Sequence, residues 1–124
     1  MALAGPLDIH SSLEGLRSSG DDLLDRWNGA TLVRSVPHDS SYIPFAASSV
    51  GTVGQPLLDV WVRDAAHQDL AREAVGPMFS PEPAGWRDLL NEDPVLAGLD
   101  ARYPGLCALR YLDPFTALVR AISA

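Results

Sequence analysis

The sequence contains no lysine, and its nine basic residues are all arginines scattered along the chain. Its 16 acidic residues bring the formal net charge to −7. A freestanding nucleic-acid-binding domain typically has the opposite balance, because a basic face displaces counterions from the phosphates. Tight binding of DNA by this chain alone is therefore not expected.

Cysteine and long apolar runs are also scarce. The single cysteine, Cys107, excludes an internal disulfide and cannot form a thiolate zinc site by itself. No apolar run approaches the roughly 20 residues that span a bilayer. The segment MALAGPLDIH (1–10) has neither the basic nor the long apolar region of a secretion signal. We therefore expect a cytoplasmic protein that does not contact a membrane.

No motif in the sequence has the pattern of a catalytic or ligand-binding site. His10, His38 and His67 lie far apart in the sequence and lack the spacing of metal ligands. The Asp21-Asp22 pair is more typical of a loop than of an acid–base pair. Neither a phosphate-binding glycine pattern nor a nucleophile elbow is present. We predict no catalytic, cofactor-binding or metal-binding residue.

Three segments have the residue types of β-strands. Asn28 and Gly29 tolerate the positive φ angles of a type I′ hairpin turn. Pro44 should confine its segment to a sheet edge or a bulge, because proline cannot donate to the strand ladder. The segments are 22–36, read as a hairpin, then 41–53, and 57–64, where apolar and polar residues alternate.

Helical patterns dominate the rest of the chain. A short helix is expected at 11–19, capped by Ser11 or Ser12. After Asp64 the apolar residues follow helical spacing up to Gly76 and Pro77, and two further helices follow in 81–106. Trp27, Trp61 and Trp86 are expected in the core. Strands followed by helices predict an α+β fold with an antiparallel sheet in one domain.

The last segment, 111–124, predicts one more helix. Asp113 is a good N-cap, and Pro114 suits the first helical position. Four apolar side chains then follow at i, i+3, i+4 and i+7. They are Phe115, Leu118, Val119 and Ile122. This stripe must fold back on the domain, pair with a second copy, or stay exposed.

Three motifs in residues 93–124 are distinctive: the DPVL helix start, the YPGL break and above all DPFTALVRAI. In these motifs the segment resembles the one that enters the catalytic region of alkylation-repair DNA glycosylases of the 3-methyladenine DNA glycosylase II type, in the helix-hairpin-helix superfamily. In the last of these motifs, the matching residues are Asp113, Pro114, Phe115, Ala117, Leu118, Val119, Arg120, Ala121 and Ile122. The upstream order is similar to the N-terminal domain of that family, an antiparallel sheet with helices on one face that forms half of a fold like TATA-binding protein.

The resemblance implies a non-catalytic N-terminal α+β domain at 1–112, followed at 113–124 by the truncated first helix of the catalytic domain. The catalytic aspartate and the helix-hairpin-helix would come later in the complete enzyme, and Asp113 matches a helix cap. Damaged DNA would then be a partner only of the complete enzyme. A complementary C-terminal half or a second copy would cover the apolar stripe. The alternatives are a stand-alone protein-interaction module that uses the last helix and an unrelated small α+β binding protein.

Overall fold

The computed structural model describes residues 1–18, 25–80, 82–111 and 113–123, and within them the chain forms an α+β fold. Four strands form one antiparallel sheet in the order β1-β2-β3-β4. The strands are β1 (Asp25–Trp27), β2 (Thr31–His38), β3 (Ser41–Ser49) and β4 (Leu58–Val62). The helices are α1 (Ile9–Ser18), α2 (Gln68–Val75), α3 (Trp86–Glu92), α4 (Pro94–Arg102) and α5 (Pro114–Ser123). Short 3₁₀ turns at Ala65–His67 and Gly76–Met78 flank α2.

The predicted hairpin is present, but its turn differs from the expected type I′ geometry. Gly29 has a φ of 92°, whereas Asn28 does not adopt a positive φ. The Asn28 side-chain oxygen instead accepts hydrogen bonds from the backbone N–H groups of Ala30 (2.9 Å) and Thr31 (2.8 Å). Asn28 therefore acts as a side-chain acceptor that mimics a backbone turn. The predicted residues 22–24, with Asp21, lie outside the described residues.

The expectation for Pro44 was wrong, because β3 is an internal strand that pairs with both β2 and β4. The pairing with β4 ends at Phe45, which lies opposite Val62. Pro44 is paired only with Ser35 of β2. The missing N–H therefore costs nothing on the β4 side, because β4 does not extend that far.

One face of the sheet forms the core. Two rows of inward side chains cross the four strands, Trp27–Leu32–Ala47–Val60 and Asp25–Arg34–Phe45–Val62. Helices α1 and α2 cover this face and bury Leu13, Ala71 and Val75. Phe45 and Leu13 are among the largest fully buried side chains. The predicted antiparallel α+β fold is confirmed at this level.

Helix α1 begins earlier than predicted. Asp8, not Ser11 or Ser12, caps it, and its carboxylate accepts from the backbone N–H (2.9 Å) and hydroxyl (2.7 Å) of Ser11. Ser12 is instead buried, and its hydroxyl accepts from the backbone N–H of Cys107. The earlier start places Ile9 and Leu13 on the buried side of the helix.

The opposite face of the sheet is open. Trp61 lies there with 64% of its surface exposed, so its expected place in the core was wrong. It stands opposite Ala46, which in turn pairs with Val33. Trp27 is buried as expected, and Trp86 is half-buried. The alternation in β4 therefore indicated its two faces correctly, but Trp61 occupies the outer one.

Within the described residues, no helix combines the length and the apolar character that crossing a lipid bilayer would require.

Candidate functional site

The N-terminus of α5 is held by a network around Asp113. The carboxylate accepts hydrogen bonds from the backbone N–H (2.8 Å) and the hydroxyl (2.7 Å) of Thr116. These two hydrogen bonds, followed by that from the Phe115 backbone N–H and by the charge of Arg34, hold the pKa of Asp113 below its usual 3.8. Pro114 follows at the first helical position, where no N–H is needed. The structure therefore confirms Asp113 as the cap of this helix.

The apolar stripe of α5 faces solvent. Phe115 is 74% exposed and Ile122 is 75% exposed, and Leu118 and Val119 are also exposed. Among the α5 positions whose burial the structure describes, Thr116 and Ala117 are half-buried, and they lie on the other side of the helix. A surface helix of a monomeric globular protein normally buries its apolar face, whereas α5 exposes it.

The segment before α5 is fixed to the body of the domain. Leu109 forms an isolated antiparallel bridge with Phe79. Arg110 donates from its backbone N–H to the Met78 carbonyl (2.7 Å) and from Nε to the Ser80 hydroxyl (2.9 Å). These contacts fix the direction in which the chain enters α5. The exposed stripe therefore follows a well-anchored segment.

A second anchor lies at Gly105, where the segment crosses the N-terminal residues. The Gly105 carbonyl accepts from the backbone N–H of Asp8 at 2.8 Å. Gly105 has a φ of 76°, and a Cβ placed there would lie 2.8 Å from the backbone of Leu7. Both the conformation and the close approach require glycine. Gly105 thus allows residues 105–110 to lie against the domain.

Exposed apolar side chains are also present outside α5. Helix α4 exposes Val95 and Leu99, and Leu106 and Tyr111 are exposed in the connecting segment. Helix α3 exposes Leu89. Most of the large exposed apolar side chains therefore belong to the C-terminal third of the described chain. We call Phe115, Leu118, Val119 and Ile122 the α5 stripe, and we take it as the candidate functional site.

A cleft of about 390 Å³ lies beside the start of α5, between the α2 region and Arg110, Tyr111 and Asp113. Its polar lining includes Glu73, Arg110, Tyr111 and Asp113. The Asp113 carboxylate accepts a hydrogen bond from the Thr116 backbone N–H, and Arg110 Nε donates one to the Ser80 hydroxyl. The described lining includes no serine, cysteine or histidine that could act as a nucleophile or a base. Its acidic groups are the carboxylates of Glu73 and Asp113.

Two of the three histidines meet, which the sequence did not indicate. The rings of His38, at the end of β2, and His67, in the turn before α2, lie 5.1 Å apart in an edge-to-face contact. His38 Nε2 also lies 3.7 Å from the carboxylate of Asp39. His10 is elsewhere, 3.1 Å from the Gly29 carbonyl. Among the residues that the structure describes, no three potential metal ligands cluster.

No protein-family model, curated protein or solved structure gives a significant match to this chain.

Proposed function

We propose that this chain is the non-catalytic N-terminal part of a DNA-3-methyladenine glycosylase acting in base-excision repair of alkylated DNA. In this proposal, residues 1–112 form the N-terminal domain, and α5 is the first helix of the catalytic half. The sheet with helices on one face would correspond to half of a fold like TATA-binding protein. The outward orientation of the α5 stripe carries the proposal.

The α5 stripe has an energetic reason to be covered. Complete burial of a Phe, Leu, Val or Ile side chain contributes roughly 1.5–3 kcal/mol. The four side chains keep between 43% and 75% of their surface exposed, so most of that contribution is not realised within this chain. Covering the stripe would contribute roughly 3–7 kcal/mol. That is comparable with the whole stability of a small domain, and it indicates that other residues cover the stripe.

The resemblance in residues 93–122 indicates which residues would cover the α5 stripe. In the similar glycosylases, the helix that starts at the DPF motif packs among the helices of the catalytic half. The start of α5 is compatible with this role of the motif, since Asp113 caps the helix and Pro114 is its first residue. The aspartate that assists departure of the damaged base would lie in the catalytic half. Asp113 itself is fully engaged as a helix cap.

The charge of the chain is compatible with a catalytic half that both binds the DNA and removes the base. Removal of a base requires that the nucleotide be extruded from the duplex and that positive charge on the sugar be stabilised. With a formal net charge of −7, this chain would repel the phosphate backbone over much of its surface. We propose that the contacts with DNA come from the catalytic half.

The test compares the 124-residue chain with a longer protein encoded by the same reading frame. We expect the frame beyond Ala124 to encode a glutamine-rich segment, a helix-hairpin-helix and a following aspartate. The longer protein should release free base from alkylated duplex DNA, and the 124-residue chain should release none. A frame without these elements would contradict the proposal, as would heat-sensitive release of base by the 124-residue chain.

A variant pair connects this activity with α5. Leu118→Asp places a charge in the α5 stripe, whereas Ala121→Asp places the same charge on the same helix outside the stripe. In the longer protein, Leu118→Asp should lower stability and activity much more than Ala121→Asp. Equal effects of the two substitutions would show that the stripe is not buried there.

The second candidate is a stand-alone interaction module that binds a partner, or a second copy of itself, through the α5 stripe. The additional exposed side chains Val95, Leu99 and Leu106 favour it, because they leave further apolar surface outside α5 that a partner could cover. Sedimentation over a concentration series should then show association of the parent chain and of Ala121→Asp, but not of Leu118→Asp. Circular dichroism should show that all three are folded. A parent chain that stays monomeric at high concentration would contradict self-association.

A further inference from the structure

A pocket of about 270 Å³ separates α3 and α4 from the anchored segment 105–108. Trp86, at the first position of α3, forms an aromatic wall, and Pro83 and Leu106 add apolar surface. Asp100, on α4, and Glu82 contribute carboxylates to the lining. The proposed glycosylase function uses none of these groups.

The geometry of the pocket is set by one hydrogen bond across its base. The Trp86 indole N–H donates to Asp100 Oδ1 at 3.3 Å, which fixes the ring and the carboxylate relative to each other. Trp86 and Asp100 are both half-buried. The ring and the carboxylate are therefore partly shielded from water and remain accessible from the pocket.

The charged side chains in the described lining are two carboxylates, those of Glu82 and Asp100. None of the described residues that line the pocket is basic. Arg87, outside the lining, pairs with Glu82 at 3.0 Å, so the charge of Glu82 is partly compensated. Asp100 also lies near the C-terminal end of α4, where the helix carries partial negative charge. A bound group should therefore be a cation.

We propose that this pocket binds the guanidinium group of an arginine side chain of a partner protein. A guanidinium is planar and can stack on the Trp86 ring while its N–H groups donate to a carboxylate. Its aliphatic stem would lie along Pro83 and Leu106. Leu106 is itself exposed beside the pocket, which suits a protein interface with a buried arginine and an apolar surround. This inference is independent of the proposed glycosylase function.

The test uses NMR of the indole N–H groups, with the Trp86 resonance assigned by its loss in Trp86→Phe. N-acetyl-arginine-amide should shift the Trp86 resonance in a saturable manner, with a dissociation constant on the order of millimolar. N-acetyl-citrulline-amide has nearly the same shape without the charge, and it should bind at least about 10-fold more weakly. The Trp27 and Trp61 resonances should not shift.

Asp100→Asn is the decisive variant, because the asparagine oxygen can still accept from the Trp86 indole while the charge is removed. It should weaken binding of the arginine derivative at least about 10-fold. Asp88→Asn removes the same charge from an exposed position of α3 outside the pocket lining, and it should leave binding unchanged. Glu82→Gln provides a second pocket variant if Asp100→Asn does not fold.

Four results would overturn the binding of a guanidinium group in this pocket. They are the absence of any shift with the arginine derivative, equal binding of the citrulline derivative, unchanged binding by the folded pocket variant, and an equal loss of binding in Asp88→Asn. Methylguanidine, which lacks the side-chain stem, should bind more weakly than the arginine derivative. Equal binding of methylguanidine would overturn the assignment to an arginine side chain.

Discussion

The ion pair between Asp25 and Arg34 lies within the core and offers a sharp test of the packing. The two residues face each other on β1 and β2, and Arg34 Nε lies 2.5 Å from Asp25 Oδ1. Nη2 of the same guanidinium lies 3.5 Å from Oδ2. Their side chains are only 2% and 3% exposed, so neither charge has much access to water. Removing one partner leaves the other charge buried without its main compensation.

We expect Arg34→Met and Asp25→Val each to reduce the free energy of unfolding by about 3–5 kcal/mol. The double variant should come within about 2 kcal/mol of the parent, because an apolar pair requires no desolvation of charge. Arg72→Met is the matched control. Arg72 forms an exposed i,i+3 pair with Asp69 at 3.7 Å, and its loss should cost less than about 1 kcal/mol.

Equilibrium unfolding in urea measures all four variants, with circular dichroism to show which of them are folded without denaturant. Single variants that lose less than about 1 kcal/mol would refute the reasoning, since the pair would then be solvated. A double variant as unstable as the sum of the two single variants would also refute it, because the two charges would then make no coupled contribution.

Three further outcomes test α5, its anchor and the two faces of the sheet. Asp113→Ala should lower the helicity measured by circular dichroism, because α5 loses its cap. In the parent chain, the stabilisation of α5 by the ionised Asp113 should be complete above pH 3.8 and should be lost as the pH falls through the lowered pKa of this residue. Gly105→Ala should lower the free energy of unfolding in urea, whereas Gly98→Ala, where an added Cβ would meet no atom within 4 Å, should not. Trp61→Ser should change the unfolding free energy by at most about 0.5 kcal/mol, and Phe45→Ala should reduce it by about 3–5 kcal/mol.

The sequence predicted the elements of this fold better than their surroundings. Alternation in β4 and helical spacing after Asp64 depend on local periodicity, and the structure has both elements. Periodicity shows which side chains share a face, but it does not show which face another element covers. Trp61 was therefore assigned to the core, although no helix in the described residues covers the outer face of the sheet.

The errors at single residues have a similar origin. Pro44 is compatible with an internal strand only because β4 ends one residue short of it, and the relative lengths of strands are not written in a local pattern. Asp8, Ser11 and Ser12 are all good cap residues, and the tertiary contact between Ser12 and Cys107 decides among them. The meeting of His38 with His67 depends in the same way on how a turn packs over the hairpin.

For the candidate site, the sequence predicted the α5 stripe and its cap, and the structure adds the orientation. A stripe of this kind normally packs onto its own domain, and the cleft beside α5 shows that apolar surface is available nearby. In the structure the stripe nevertheless faces solvent, and it follows a segment that is anchored at Gly105 and Arg110. Each surface can be buried only once. If α5 packs within a catalytic half, a longer protein should therefore not self-associate through this stripe, and association should be confined to the 124-residue chain.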